Sequence, residues 1–184
     1  MQVRSTTLRE VKVLEPRVFT DDRGWMFESW SRQRYADVGI PQDFVQANHS
    51  HSVAGVVRGL HYQLGSGQAK LVRVVRGRIL DVAVDVRQGS PTFGQWTSAV
   101  LSSENHHQMY IPPGFAHGFM SLEESDVLYL MSDFYQPSLE RGILWQDPEL
   151  ALPWPEAGGI LSAKDQILPR LADVGSTDLP AWKA

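Results

Sequence analysis

Two adjoining runs, Leu71-Val72-Arg73-Val74-Val75 and Ile79-Leu80-Asp81-Val82-Ala83-Val84-Asp85-Val86, are joined only by Arg76-Gly77-Arg78. Both alternate with a period of two, which places successive side chains on opposite faces of an extended chain and is incompatible with a helical stripe. In the second run Asp81 and Asp85, four residues apart, share one side of the pleat. Further strand candidates cover residues 11–19, 25–30, 43–49, 95–101, 107–111 and 126–134. They are separated by turn-forming stretches such as Asp21-Asp22-Arg23-Gly24, Gly65-Ser66-Gly67, Gln88-Gly89-Ser90-Pro91 and Pro112-Pro113-Gly114. Helix signals are few: Ser31 to Val38, stopped at Gly39, and a short segment after Ser162. Many short strands at this spacing predict an all-β antiparallel sandwich or barrel with a few short peripheral helices. Beyond Leu152 the chain becomes rich in Pro and Gly, so 153–184 reads as an irregular tail wrapped on a single domain spanning 1–184.

Composition narrows the partners. With 42% apolar and 21% charged residues the chain is an ordinary globular one. A formal net charge of −4 argues against nucleic-acid or membrane-surface binding, which need broad positive fields. A small anionic ligand needs only a few placed cations and remains open. There is no cysteine, hence no disulfide and no thiolate metal site. The first ten residues carry charges where a secretory leader needs an apolar block, and no run approaches the roughly 18 apolar residues of a membrane span. The cytoplasm is the expected location.

Two motifs then limit the chemistry. Gly55 is followed after five residues by His61, and Pro112-Pro113-Gly114-Phe115-Ala116-His117 forms a Pro-x-Gly-x-x-His turn. Together they resemble the two halves of the cupin motif, whose fold is a double-stranded β-helix, or jelly roll. In metal-binding cupins the first half would read His-x-His and then a Glu. Here the second histidine is Gln63, and Lys70 stands ahead of Gly77 where the Glu belongs. An ammonium among the ligands repels a cation, so two histidines and a lysine do not make an ordinary metal site. His49 and His51 form a His-x-His pair without an evident third ligand. No metal and no cofactor are expected.

The resemblance becomes specific over longer stretches. Arg58-Gly59-Leu60-His61-Tyr62-Gln63, Gln68-Ala69-Lys70-Leu71-Val72-Arg73, Asp81 to Arg87, Ser90-Pro91-Thr92-Phe93-Gly94, Ile111 to Phe119 and Trp145-Gln146-Asp147-Pro148 are similar to the core of the dTDP-4-dehydrorhamnose 3,5-epimerase family. Asp21-Asp22-Arg23-Gly24 and Leu161-Ser162-Ala163-Lys164-Asp165 fit as well, so the likeness runs from about residue 10 to about residue 170. It implies a cupin-like homodimer that exchanges N-terminal strands (about 1–30). It also implies cofactor-free inversion of C3 and C5 of dTDP-4-dehydro-6-deoxy-D-glucose by proton removal beside the C4 ketone. Relatives that invert one carbon only, and a non-catalytic cupin binding a sugar nucleotide, are the competing expectations.

Such chemistry needs a base, an acid on the opposite face and a stabiliser for the enolate oxygen. His61 is the candidate base, since imidazole titrates near working pH; alone, it could equally be a core histidine. The resemblance implies that Asp165 orients it, although spacing alone makes Asp165 a helix cap after Ser162. It likewise implies Tyr129 as the acid and Lys70 beside the enolate oxygen, where a strand aromatic and a solvated lysine are the bland alternatives. For the nucleotide it implies Arg23, Arg58 and His117 at the phosphates, Gln46 and Asn48 along the nucleotide, Glu28 at thymine or ribose, and Tyr135 stacked on the base. Trp25-Met26 and Leu130 depart from the usual pattern, with the expected effects of remodelling the wall near the nucleotide or sugar and shifting Tyr129.

Overall fold

In the computed structural model, which describes residues 1–155 and 158–182, thirteen strands account for almost all regular structure. They are β1 (Gln2–Ser5), β2 (Lys12–Glu15), β3 (Phe19–Asp21), β4 (Gly24–Met26), β5 (Gln46–Ser52), β6 (Val57–Gln63) and β7 (Lys70–Arg76). The rest are β8 (Arg78–Asp85), β9 (Trp96–Ser102), β10 (Gln108–Ile111), β11 (Phe115–Ser121), β12 (Ser125–Met131) and β13 (Glu140–Gly142). One sheet has the order β1-β2-β10-β7-β12-β5, and the second β13-β6-β11-β8-β9; β3 and β4 form a separate hairpin. All strand pairs are antiparallel. This is the expected all-β, cupin-type jelly roll.

The inner faces of the two sheets enclose one core, with Val72, Val74, Met109 and Val127 from the first meeting Ile79, Ala83, Leu101 and Phe119 from the second. The helix α1 (Arg32–Asp37) closes the outer face of the first sheet, where Tyr35 and Ile40 pack on Leu14, Leu71 and Tyr110. It ends as expected at Gly39, whose φ of +78° suits glycine, and Lys12 Nζ donates to the Val38 carbonyl at 2.7 Å. The C-terminal segment covers the outer face of the second sheet: Leu150, Leu171, Leu152 and Trp154 pack on Leu60, Val82, Val84 and Ile143.

That second cover explains where the period-two reading falls short. With both faces buried a strand loses its polar alternation, and β11 is buried at every position. Neither β6 nor β11 stands out by period. Pro16 lacks the N–H a ladder requires; the strand expected over 11–19 ends at Glu15 and resumes only at Phe19. The strand expected over 25–30 stops at Met26, and that over 43–49 runs instead from Gln46 to Ser52. The tail expected over 153–184 is irregular where described. It holds three 3-10 turns, Asp165–Ile167, Leu171–Asp173 and Ser176–Asp178; residues 156–157 and 183–184 of it lie outside the described residues. Among the described residues no helix is long and apolar enough to cross a membrane.

One close approach matters for the site. A Cβ on Gly118 would stand 2.7 Å from the Arg58 carbonyl oxygen and 3.0 Å from Leu60 Cδ2, and one on Gly59 would stand 2.6 Å from Gly118 Cα. The glycines let β6 and β11 lie almost backbone to backbone. Gly118→Ala is expected to cost roughly 1–3 kcal/mol by overpacking, read as a lower denaturant midpoint at unchanged slope.

Candidate active site

At one end of the sandwich a cleft of about 480 Å³ opens between the sheets. Arg58 and His61 reach it from β6, His117 from β11, Lys70 from β7 and Tyr129 from β12; Asp165 joins from the 3-10 turn of the tail. His61 and His117 face each other directly across the β6–β11 pairing. Imidazole and phenol therefore come from opposite sheets, with open space between.

His61 Nε2 lies 2.6 Å from Asp165 Oδ1, although 104 residues separate them. Asp165 does not cap the turn that carries it: the Ser162 hydroxyl accepts from the Asp165 N–H at 3.1 Å. That frees the carboxylate, 4% exposed, to face the imidazole. Burial would raise its pKa, but the hydrogen bonds from His61 and the Gly59 N–H more than offset this and hold it below the usual carboxylate value. The ion that stabilises a protonated His61 is thus present over the working range.

Lys70 opens β7, half-buried, with Nζ 3.4 Å from the His61 carbonyl oxygen. Desolvation lowers its pKa to about 8, against the opposing fields of Glu140 and Asp81. Gln63, the other residue that departs from the metal-binding pattern, spends its amide on the backbone. It donates to the Phe134 carbonyl and accepts from the Gln136 N–H. His49 and His51 are exposed and lie 3.7 and 3.0 Å from Asp126 Oδ1.

The remaining expected residues divide into two groups. Arg58 donates through Nε to Ser52 Oγ at 3.0 Å and through Nη2 to the His51 carbonyl at 2.9 Å, which leaves its other N–H groups for the cleft. His117 sits 2.6 Å from Asp81 Oδ1. Asn48 Nδ2 donates to Tyr129 Oη at 3.2 Å, Gln46 Nε2 to Asn48 Oδ1 at 3.0 Å, and the Tyr135 N–H to Gln46 Oε1 at 3.0 Å. Arg23 and Glu28 are not brought to this cleft. Arg23 pairs with Asp21 at the exposed tip of the β3–β4 hairpin, and Glu28 lies 3.6 Å from Arg34. Trp25 and Met26 line a separate hollow beside Arg23, and Leu130 packs under α1 on the face opposite Tyr129. The wall of this chain's own cleft is therefore not remodelled by those departures.

One residue escapes the sequence reading, and another was noted there without a role. Glu140, on the three-residue β13, accepts from the Tyr135 hydroxyl at 2.6 Å, pairs with Lys164, and lies 4.0 Å from His61 Nδ1. Burial would raise it, but the Lys164 and Tyr135 hydrogen bonds keep it below the ordinary value. Nothing periodic marks it. Asp81, fully buried, was visible as a carboxylate on an apolar strand, a costly placement that calls for a partner.

A cupin barrel that sets an imidazole against a phenol, with an ammonium near both and no carboxylate where a metal ligand would stand, has the equipment of an isomerase moving protons at carbon. Comparison with known proteins agrees. The chain matches the family described as dTDP-4-dehydrorhamnose 3,5-epimerase over residues 5–173 and belongs to it. The enzyme of that name from Pseudomonas aeruginosa is 51% identical over 169 residues, 90% of this chain and 93% of the relative. The structure of a dTDP-6-deoxy-D-glucose-3,5-epimerase from Legionella pneumophila, in complex with dTDP-4-keto-L-rhamnose, superposes with a TM-score of 0.96. It is 45% identical and the match covers 100% of this chain and 99% of that one. A 3'-monoepimerase from Streptomyces bikiniensis is more distant: 33% identity, TM-score 0.91, covering 97% and 92%.

Proposed function

We propose that this protein inverts C3 and C5 of dTDP-4-dehydro-6-deoxy-D-glucose to give dTDP-4-dehydro-L-rhamnose, using only its own side chains. The observation that carries the mechanism is the His61–Asp165 pair at 2.6 Å facing a cleft that Tyr129 lines from the other sheet. His61 takes the proton from the carbon beside the C4 ketone; the C–H electron pair becomes the enolate C=C bond and the carbonyl π pair moves to the ketone oxygen. Asp165 stabilises the imidazolium so formed. Lys70 stabilises the enolate oxygen more than the ground-state ketone, the differential that accelerates the step. Tyr129 returns a proton to the opposite face, which inverts the centre. Once His61 has released its proton to solvent and Tyr129 has regained one from it, the same set serves the second carbon.

Arg58 and His117 are assigned to the two phosphates, where a guanidinium can bind oxygens in pairs, and Tyr135 to the base. Arg23 and Glu28 are assigned to the neighbouring subunit's cleft in a homodimer that exchanges N-terminal strands. An Arg23 side chain 89% exposed, on a hairpin with Trp25 57% and Met26 63% exposed, supports that reading. A nucleotide-sugar substrate and a chain without cysteine fit work in the cytoplasm. Incubation with dTDP-4-dehydro-6-deoxy-D-glucose in D₂O tests the function: mass spectrometry is expected to find two solvent deuterons in the sugar. One deuteron would mark a single-site epimerase, and none a binding module.

A further inference from the structure

Asn48 does not itself line the cleft, but its bond to Tyr129, which does, singles it out. The geometry points to Asn48 as a positioning residue that sets which way the Tyr129 hydroxyl proton points, through a one-way hydrogen-bond relay that begins at the Tyr135 backbone. This rests on the assignment of Tyr129 as the acid and extends it.

Amide oxygen and nitrogen are alike in outline, so the sense of such a chain usually has to be assigned from its surroundings. Here a backbone group fixes it. The Tyr135 N–H can only donate, so Gln46 must present Oε1 to it, at 3.0 Å. That turns Gln46 Nε2 toward Asn48, which must accept through Oδ1 at 3.0 Å. Asn48 then has only its NH₂ left to face Tyr129, and donates to the phenolic oxygen at 3.2 Å. The phenol oxygen is engaged as an acceptor on the strand side, and its own proton is left for the cleft.

The register that makes this possible is built into the first sheet. Asn48 on β5 and Tyr129 on β12 are direct cross-strand partners, and Gln46 lies two residues along on the same face. The arrangement serves both ends of the acid step. Before transfer it presents the O–H to the substrate. As the enol carbon takes the proton, the Oη–H bond breaks, a C–H bond forms, and negative charge appears on the phenolic oxygen. Asn48 already donates to that oxygen and so stabilises the charge developing there. Solvent later restores the proton. Because the relay starts at Tyr135, the residue assigned to the base, nucleotide docking and acid alignment share one set of bonds.

Two substitutions reverse the relay without removing it. Asn48→Asp turns the donor facing Tyr129 into an acceptor, so the phenol proton points back at the strand. Gln46→Glu places an acceptor against Asn48, whose amide then flips and offers Tyr129 its oxygen. At saturating substrate in D₂O, both variants are expected to lose inversion roughly tenfold or more, the scale of a misdirected general acid. Uptake of solvent deuterium with retained configuration, which needs only His61, is expected to fall far less than inversion at saturating substrate, whatever dTDP affinity the variants lose as residues along the nucleotide. Wild-type inversion in both variants overturns the proposal, as does a parallel fall of inversion, exchange and dTDP affinity, which would make Asn48 a binding residue only. Tyr129→Phe separates this from the acid assignment. Normal inversion in Tyr129→Phe refutes the acid role itself, whereas loss of inversion there beside fully active relay variants removes only the relay.

Discussion

His61→Asn is expected to lower turnover by roughly a thousandfold or more, the upper range for loss of a positioned general base. Asparagine is shorter and loses the Nε2 that bonds Asp165, but the Gly59 N–H to Asp165 and the packing of the tail remain, so the turn that carries Asp165 should stay docked. It cannot take a proton from carbon at neutral pH. Deuterium uptake at both carbons is expected to vanish together, since one imidazole serves both. The affinity for dTDP, set by the groups at the phosphates and base, should be retained. Turnover near the wild-type rate would remove His61 from the mechanism. Loss of dTDP binding with circular dichroism unchanged would make it a binding group instead.

Lys70→Gln is expected to lower kcat by roughly a hundred- to a thousandfold, the cost of removing one preorganised stabiliser of a developing oxyanion, with a small change in KM. The pH dependence carries a second check. Desolvation has moved the Lys70 ammonium down to about 8, so the protonated form dominates below that value and is lost above it. The wild-type rate should therefore decline as pH rises through about 8. In Lys70→Gln that decline should disappear, leaving a low and flatter profile. An alkaline limb unchanged by the substitution would place its origin in another group.

The fold was legible in the chain wherever polar and apolar residues alternate along a strand, even in β8, whose Asp81 and Asp85 are themselves buried. In β7 and β8 the alternation is plain, and the turns between strands announce themselves through Gly, Pro and Asp. It failed where burial on both faces erases alternation, in β6 and β11, and these strands carry His61 and His117. Only the motifs, the glycine spacing and the Pro-x-Gly-x-x-His turn, pointed to them. Asp165 could not be assigned by local reasoning: three residues after a serine it reads as part of a cap, and its partner is a tertiary one. Glu140 left no trace because a three-residue strand has no period to detect. The family resemblance placed Asn48 and Gln46 along the nucleotide, but not as each other's partners. Alternate positions on one strand share a face, yet only the pairing of β5 with β12 shows that Tyr129 lies opposite.

The salt link between strand β6 and the tail gives the barrel an unusual dependency. His61 belongs to the sandwich, but its carboxylate partner arrives on a segment held by side-chain packing and a few isolated backbone contacts rather than by a continuous ladder. Segments of that kind open at lower free energy than the sheets they cover. A molecule with every strand in place and only this flap lifted would look native by its β signal yet be chemically silent. Enzymatic rate thus reports the docking of the tail, a more sensitive gauge of integrity than the sandwich itself can offer.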